Sequence, residues 1–497
     1  MKSPHHYWLG SATASLLFLA GCAVGPDFKE PASPSASPAS PALDTMATPG
    51  VGGGQAQQVS TNLDLPAAWW ELFRSPTLNQ LVTLSLTNNP GLKSAQAALI
   101  SAHETTLAQK GAYWTDLSAG FAASRQKTSS QISATPNSGA LYFNLLTPQV
   151  NVSYVPDVFG LNRRSVEVLQ AQESQVKFAL VATRISLTAN VALAAVQEAS
   201  LRAQIQAAKE MIVINSNWVQ AVRAQLAAGY ASQLDLAAQE SQLAQTAAAL
   251  PPLAKQLAQQ RDALAILVGV SPDHPLPEVS SLAEFILPTT LPFSLPAQLV
   301  AHRPDVRQAA ENLHAACAQV GIAVANRLPN LTLTADAGSM ALTAGQMFAG
   351  GAGFWTLAGN VSQPIFQGGA LLHHERAARA AMTAAEDQYQ GTVLSAFQNV
   401  ADTLRALQQD AVALQVAAAA QSAAQTSLEL TRRQLQTGYA NYPALLNAEQ
   451  NFQQSVVNRV QAQASRYADT AALFLALGGG WWNERKLPPS QGALAGQ

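Results

Sequence analysis

The chain is written twice in the same order. Asn88-Asn89-Pro90-Gly91-Leu92-Lys93 returns as His302-Arg303-Pro304-Asp305-Val306-Arg307 at an offset of 214. Ala228-Gly229-Tyr230-Ala231 returns as Thr437-Gly438-Tyr439-Ala440 at an offset of 209, and Leu236 and Glu240 reappear as Leu445 and Glu449. Two units of similar size, separated by one small loop difference, predict a body built by packing a unit beside its copy. That favours a tube or bundle over a single catalytic pocket.

Each half reads as helix, hairpin, long helix, turn, helix. The first helical pattern runs from about 77 to 112. No proline or glycine interrupts about 161–228, and the matching stretch of about 370–437 holds only Gly391. At ~1.5 Å per residue each would form a helix ~100 Å long. Leu169, Val176, Leu180, Leu187 and Val191 fall on one face, as side-by-side helix packing requires. A coiled-coil rod would show the same stripe. The strand candidates supply what a rod lacks. Leu117, Ala119 and Phe121 alternate with Ser118 and Gly120; Val150, Val152 and Tyr154 alternate with Asn151 and Ser153. In the second half Leu331, Leu333, Ala335 and Ala337 alternate with Thr332, Thr334 and Asp336, and Trp355, Leu357 and Val361 with Thr356, Ala358 and Asn360. These segments (about 115–128, 141–155, 330–341 and 354–364) have the length and two-residue period of transmembrane barrel strands, a pattern that a soluble sheet packed on helices would share. Four strands cannot close a barrel, which needs about eight, so a membrane role demands several chains per barrel.

Lys2 precedes an apolar run from Trp8 to Ala20, too short for a lasting bilayer span and read as a secretory signal over 1–21. Leu19-Ala20-Gly21-Cys22 resembles the lipobox of bacterial lipoproteins. That resemblance implies a mature chain starting at Cys22, bearing S-diacylglycerol and N-palmitoyl groups; Ala23 in place of an inner-membrane-retaining Asp points to the outer membrane. Residues 22–64, rich in Pro, Ser, Ala and Gly and without apolar periodicity, read as a flexible tether. Folded sequence is expected from Leu65, in repeats 65–295 and 296–482, with a flexible tail at 483–497. Cys317, the only other cysteine, leaves no disulfide to be made within the mature fold and reads as a small core residue. Charged residues make up 12% of the chain against a usual ~25%, with a net charge of -2, which argues against a nucleic-acid binder, since such a protein would carry a basic stripe.

Trp69-Trp70-Glu71-Leu72-Phe73, then Leu78-Asn79-Gln80-Leu81-Val82 and Asn88-Asn89-Pro90, resemble the opening of the TolC-like outer-membrane factors, in the lipoprotein branch of multidrug (RND-type) efflux systems. Pro329-Asn330-Leu331, Gln363-Pro364-Ile365-Phe366-Gln367-Gly368-Gly369 and Ala476-Leu477-Gly478-Gly479-Gly480-Trp481 extend the match over nearly the whole chain from Cys22. The resemblance implies an α+β membrane protein: a homotrimer whose chains each give four strands to a twelve-stranded outer-membrane β-barrel, continuous with a periplasmic α-helical barrel. It implies an exit duct for small molecules in a Gram-negative outer membrane, docked to a periplasmic adaptor and an inner-membrane pump, performing no covalent chemistry. A protein-secretion duct and a non-channel coiled-coil envelope lipoprotein are the alternatives, and paired apolar-faced strands favour a duct over the scaffold.

Under that resemblance the turns Gly229-Tyr230 and Gly438-Tyr439 lie at the periplasmic entrance, with an acid beyond each. Asp235 matches this position; Asn447 stands where a second Asp is usual, which removes a charge from each copy. Ser232-Gln233-Leu234-Asp235 also reads as an N-cap with an acid at N3. Arg432 and Arg433 are either a gate latch pairing with an acid or a solvated helix end. His373 and His374 point about 100° apart on a helix and cannot clamp one metal; no spacing fits a metal site, P-loop, dinucleotide fingerprint or nucleophile elbow, so no metal, cofactor or catalytic residue is expected.

Overall fold

The computed structural model describes residues 23–31, 45–60, 63–127, 142–292 and 302–483. The proposed signal, Cys22, the middle of the expected tether and residues 484–497 lie outside them. Along the chain run β1 (Gln58–Ser60), α1 (Pro76–Asn88), α2 (Pro90–Lys110), β2 (Asp116–Lys127), β3 (Tyr142–Tyr154), α3 (Leu161–Ala227), α4 (Gln233–Ala248), α5 (Leu250–Val268), β4 (Thr290–Pro292), α6 (Pro304–Ala325), β5 (Asn330–Ser339), β6 (Gly353–Ser362), α7 (Ala370–Gln436) and α8 (Tyr442–Ala476).

Helices α3 and α7 are each unbroken over 67 residues. The single helix expected over 77–112 is instead two. Pro90 has no N–H to donate and its ring drives Asn89 out of the helical region, to φ -57° and ψ 121°. Asn89 then serves both helices: its backbone N–H closes α1 on Ser85, and its side-chain oxygen accepts from Leu92 N at 3.0 Å to open α2.

The fold divides into two compact bodies that cut across the duplication. One comprises the described parts of residues 1–31, 98–176 and 308–389, the other those of 32–97, 177–307 and 390–497. The boundaries 65–295 and 296–482 therefore describe the repeat and not the folded units. The physical reason is strand pairing between halves: in the first body β3 of the first half pairs with β5 of the second, giving one antiparallel sheet in the order β2-β3-β5-β6.

In the second body Trp69, Phe73, Phe285, Tyr467 and Phe474 form an aromatic core. Trp69 and Phe474 ring centroids lie 5.4 Å apart, and Phe285 and Tyr467 5.7 Å. All five are buried, and Tyr467 Oη donates to Phe285 O at 2.9 Å, so the one polar tip is satisfied. Burying each such side chain contributes roughly 1.5–3 kcal/mol.

The flexible-tether reading of 22–64 is corrected at two of the described stretches, 23–31 and 45–60. Residues 45–60 are bound to the second body: β1 pairs in parallel with β4, Gln57 Nε2 donates to Thr470 Oγ1 and Pro288 O at 3.1 Å each, and buried Arg466 donates to Gln55 O at 2.6 Å. Residues 23–31 are held by the first body. Both are fixed largely through backbone groups, which leave no apolar period in a sequence. At the other end Asn483, expected to begin the tail, donates to Leu65 O at 2.8 Å.

Candidate membrane sheet and helix-tip turns

Register places the alternating apolar residues of the four strands on one face. Leu117, Ala119 and Phe121 sit opposite Val152, Val150 and Pro148; Val150, Val152 and Tyr154 oppose Ala337, Ala335 and Leu333; and Leu331, Ala335 and Ala337 oppose Val361, Leu357 and Trp355. This face is open: Trp355 is 79% exposed, Leu357 75% and Leu117 69%. A soluble sheet packed on its own helices would have covered it, and an apolar patch of this extent on a water-facing surface marks an interface with lipid or another chain. The other face carries Ser118, Asn151, Thr334, Asp336 and Thr356, with Asn151 Nδ2 donating to Asp336 across the β3–β5 ladder. Strands of 10–13 residues are long enough to cross a hydrocarbon core. Outer strands β2 and β6 each have one ladder partner, so each leaves a free edge among the described residues.

The second body holds both tips. Gly229 (φ 79°) and Gly438 (φ 78°) follow α3 and α7 in the left-handed region, which a Cβ would strain. Tyr230 N donates to Gln225 O and Tyr439 N to Gln434 O, each at 2.8 Å; Gly229 N reaches Leu226 O and Gly438 N reaches Leu435 O. Two Schellman closures thus satisfy the last carbonyls of both long helices in the same way. The return helices start on caps. Ser232 Oγ accepts from Asp235 N at 3.2 Å while Asp235 Oδ2 accepts from Ser232 N at 2.9 Å, a reciprocal capping box. Ser232 Oγ also donates to Asp235 Oδ2 at 2.6 Å, and this bond, with the weaker help of the one from Ser232 N, holds the Asp235 carboxyl below the usual range. Asn441 caps α8 by accepting from Ala444 N at 3.0 Å, with Pro443 in the first turn where its missing N–H costs nothing.

Of the expected gate residues, Asp235 is engaged in the cap and lies close enough to Tyr442 to help raise that phenol, whose main cause is burial. Tyr442 Oη also donates to Gln225, joining the two hairpins. Asn447 and Arg433 are exposed. Arg432 is no solvated helix end: its Nη2 lies 3.4 Å from Oε1 of Glu449, whose side chain is fully buried. Sequence reasoning missed the first-half counterpart. Arg223 pairs with Glu240 at 2.6 Å, and both residues stand 209 positions before Arg432 and Glu449. The same offset that revealed the tips thus carried a brace behind each.

The two braces differ in strength, and burial decides which is stronger. Arg223 and Glu240 are 60% and 44% exposed, so water screens them despite the shorter distance, and the pair contributes ~0–1 kcal/mol. Burial pushes the Glu449 carboxyl up and Arg432 pulls it back; its Oε2 has no partner. Arg432→Ala is expected to destabilise by about 1–3 kcal/mol, by leaving a buried acceptor unsatisfied, and Arg223→Ala by less than about 1 kcal/mol. Chemical-denaturation midpoints of the two variants check this ordering; equal losses would show that exposure does not govern the braces.

Among the described residues no cluster of His, Cys, Asp and Glu could hold a metal ion. An exposed apolar β-face on strands of bilayer length, joined in one chain to duplicated long helices with paired hairpin tips, defines the class of outer-membrane channels. The chain belongs to the outer membrane efflux protein family, whose pattern matches residues 81–270 and 295–479. It is 29% identical to the toluene efflux pump outer membrane protein TtgF of Pseudomonas putida, over 95% of this chain and 96% of that protein. It is also 29% identical to the solvent efflux pump outer membrane protein SrpC of Pseudomonas putida, over 94% and 97%. Its fold is that of the outer-membrane channel OprN, with a TM-score of 0.83 and 24% identity over 93% of this chain and all of that one. VceC of Vibrio cholerae, another outer membrane protein, superposes with a TM-score of 0.76 at 27% identity over 84% of this chain and 99% of that one. The protein is thus an outer-membrane efflux channel of a Gram-negative bacterium.

Proposed function

We propose that three copies close one twelve-stranded barrel and form the passive exit duct of a tripartite efflux pump. The observation that carries this is the open-edged sheet with a single apolar face. Four strands are too few to close, and an even number in antiparallel order makes β2 and β6 run oppositely, so β6 of one copy can continue onto β2 of the next without breaking alternation. The helices then supply the periplasmic wall, and a periplasmic adaptor and an inner-membrane pump deliver cargo to it. The toluene and solvent pumps to which relatives belong favour small apolar molecules as that cargo. Cys22 carries the acyl chains that add a second membrane attachment.

The tips are the duct's constriction in this reading, with Asp235 a ring of three carboxylates and Arg432, Arg433 and Asn447 around it. Capping and gating coexist, because a carboxylate held by Ser232 stays ionised. Asp235→Ala is expected to raise single-channel conductance in planar bilayers and to weaken cation selectivity. Loss of roughly 0.5–2 kcal/mol of stability with unchanged conductance would reduce the residue to a cap. Asn447→Asp is the converse test, expected to increase cation selectivity.

A further inference from the structure

Residues 23–31 occupy a groove built for them. Val24 N donates to Phe159 O at 3.1 Å, just before α3. Arg164, its side chain only 4% exposed, donates through Nε to Val24 O at 3.1 Å and through Nη2 to Asp27 at 2.7 Å, while Nη1 is fixed by Glu167 at 2.7 Å. Phe28 stacks on His314 with ring centroids 4.4 Å apart, and His314 is itself held between Glu167 at 3.0 Å and Glu311 at 3.2 Å. Cys317 Sγ donates to Pro26 O at 3.4 Å. Gly25, at φ 93°, meets Gly321 so closely that a Cβ on Gly25 would lie 2.5 Å from Gly321 Cα. A buried guanidinium whose remaining donors go to the carbonyls and carboxylate of one peptide segment is a receptor for that segment.

We propose that Arg164, His314, Cys317 and Gly321 form a docking site for the chain's own Ala23–Pro31 segment, a strap that fixes the acylated amino terminus at the junction of β3 and α3. A free tether of roughly 40 residues would spread that end over roughly 35 Å. The strap removes this freedom: Ala23 packs on Gly160, six residues after the last residue of β3. Arg164 is thereby a positioning residue for the lipid anchor. The site stands on the contacts alone; only what it carries rests on the acylation of Cys22.

Cys317 reports on the strap, because Pro26 lies over its thiol and burial pushes that thiol's pKa up. Full-length protein in detergent is treated with N-ethylmaleimide and the labelled peptides are identified by mass. Cys317 is expected to label slowly in the wild type, and on the order of tenfold to a hundredfold faster in Gly25→Leu, whose side chain would collide with Gly321, and in Asp27→Ala, which loses the Arg164 contact. Asp27 is 85% exposed, so its truncation leaves packing intact should Gly25→Leu fail to assemble. Wild-type labelling as fast as in the variants, or variants that assemble yet label at the wild-type rate, would overturn the proposal. A labelled Cys22 peptide would refute acylation instead and leave the strap result standing.

Discussion

Leu357→Arg is expected to destabilise the membrane-inserted protein by roughly 2–4 kcal/mol, while Ala358→Arg, one residue along, costs less than about 1 kcal/mol. Leu357 pairs with Ala335 near the middle of β6, on the exposed apolar face; Ala358 pairs with Thr334 on the polar face. Because a strand alternates with a period of two, in the proposed barrel neighbouring positions meet lipid and lumen respectively, and only the first takes a guanidinium out of water. Reversible urea unfolding in bilayers measures the difference. Equal losses at both positions would mean that the sheet does not face lipid.

Stability is also expected to fall as pH rises from about 4 to about 7, because of two carboxylates on facing helices. Asp410 on α7 contacts Asp469 on α8, and its Oδ2 is buried without a partner. Burial first, and the Asp469 charge second, push Asp410 up to about 7, against a partial pull from Arg466. The folded state therefore keeps a proton that the unfolded chain has already released at about 3.8. This contribution is fully present below that value and is lost as pH rises through about 7, to roughly 4 kcal/mol at most for the pair. Glu449, also raised by burial, adds a slope of the same sign. Asp410→Asn keeps a hydrogen-bond donor toward Asp469 without the charge, so the variant should flatten the decline and unfold at higher temperature than the wild type at pH 8. Thermal midpoints of detergent-solubilised protein between pH 4 and pH 8 test this. An unaltered slope in the variant would show that the pair does not share a proton.

The strands and long helices were legible because their signals are local: a period of two at Leu331, Leu333, Ala335 and Ala337, and the absence of Pro and Gly between Leu161 and Ala227. The tip turns were legible through Gly229 and Gly438, since only a positive φ reverses a helix so tightly. Pro90 carried the signal for the α1–α2 break, since a proline inside a helical pattern removes an N–H and pushes the preceding residue out of the helix, and the reading of one helix over 77–112 passes over it. What composition concealed was docking through backbone atoms. Val24 and Gly25 bind Arg164 by their carbonyls, which any residue possesses, so the strap read as a tether. Arg223 and Glu240 were visible in principle, because they repeat at the offset of the tips. Asp410 and Asp469 were not, since only the packing of α7 on α8 brings them together.

The central claim is the proposal that three copies, each giving four strands, close one barrel. Native mass spectrometry of the protein released from detergent micelles tests it most directly: a particle of three chains is predicted, and a stable monomer or dimer would contradict the account.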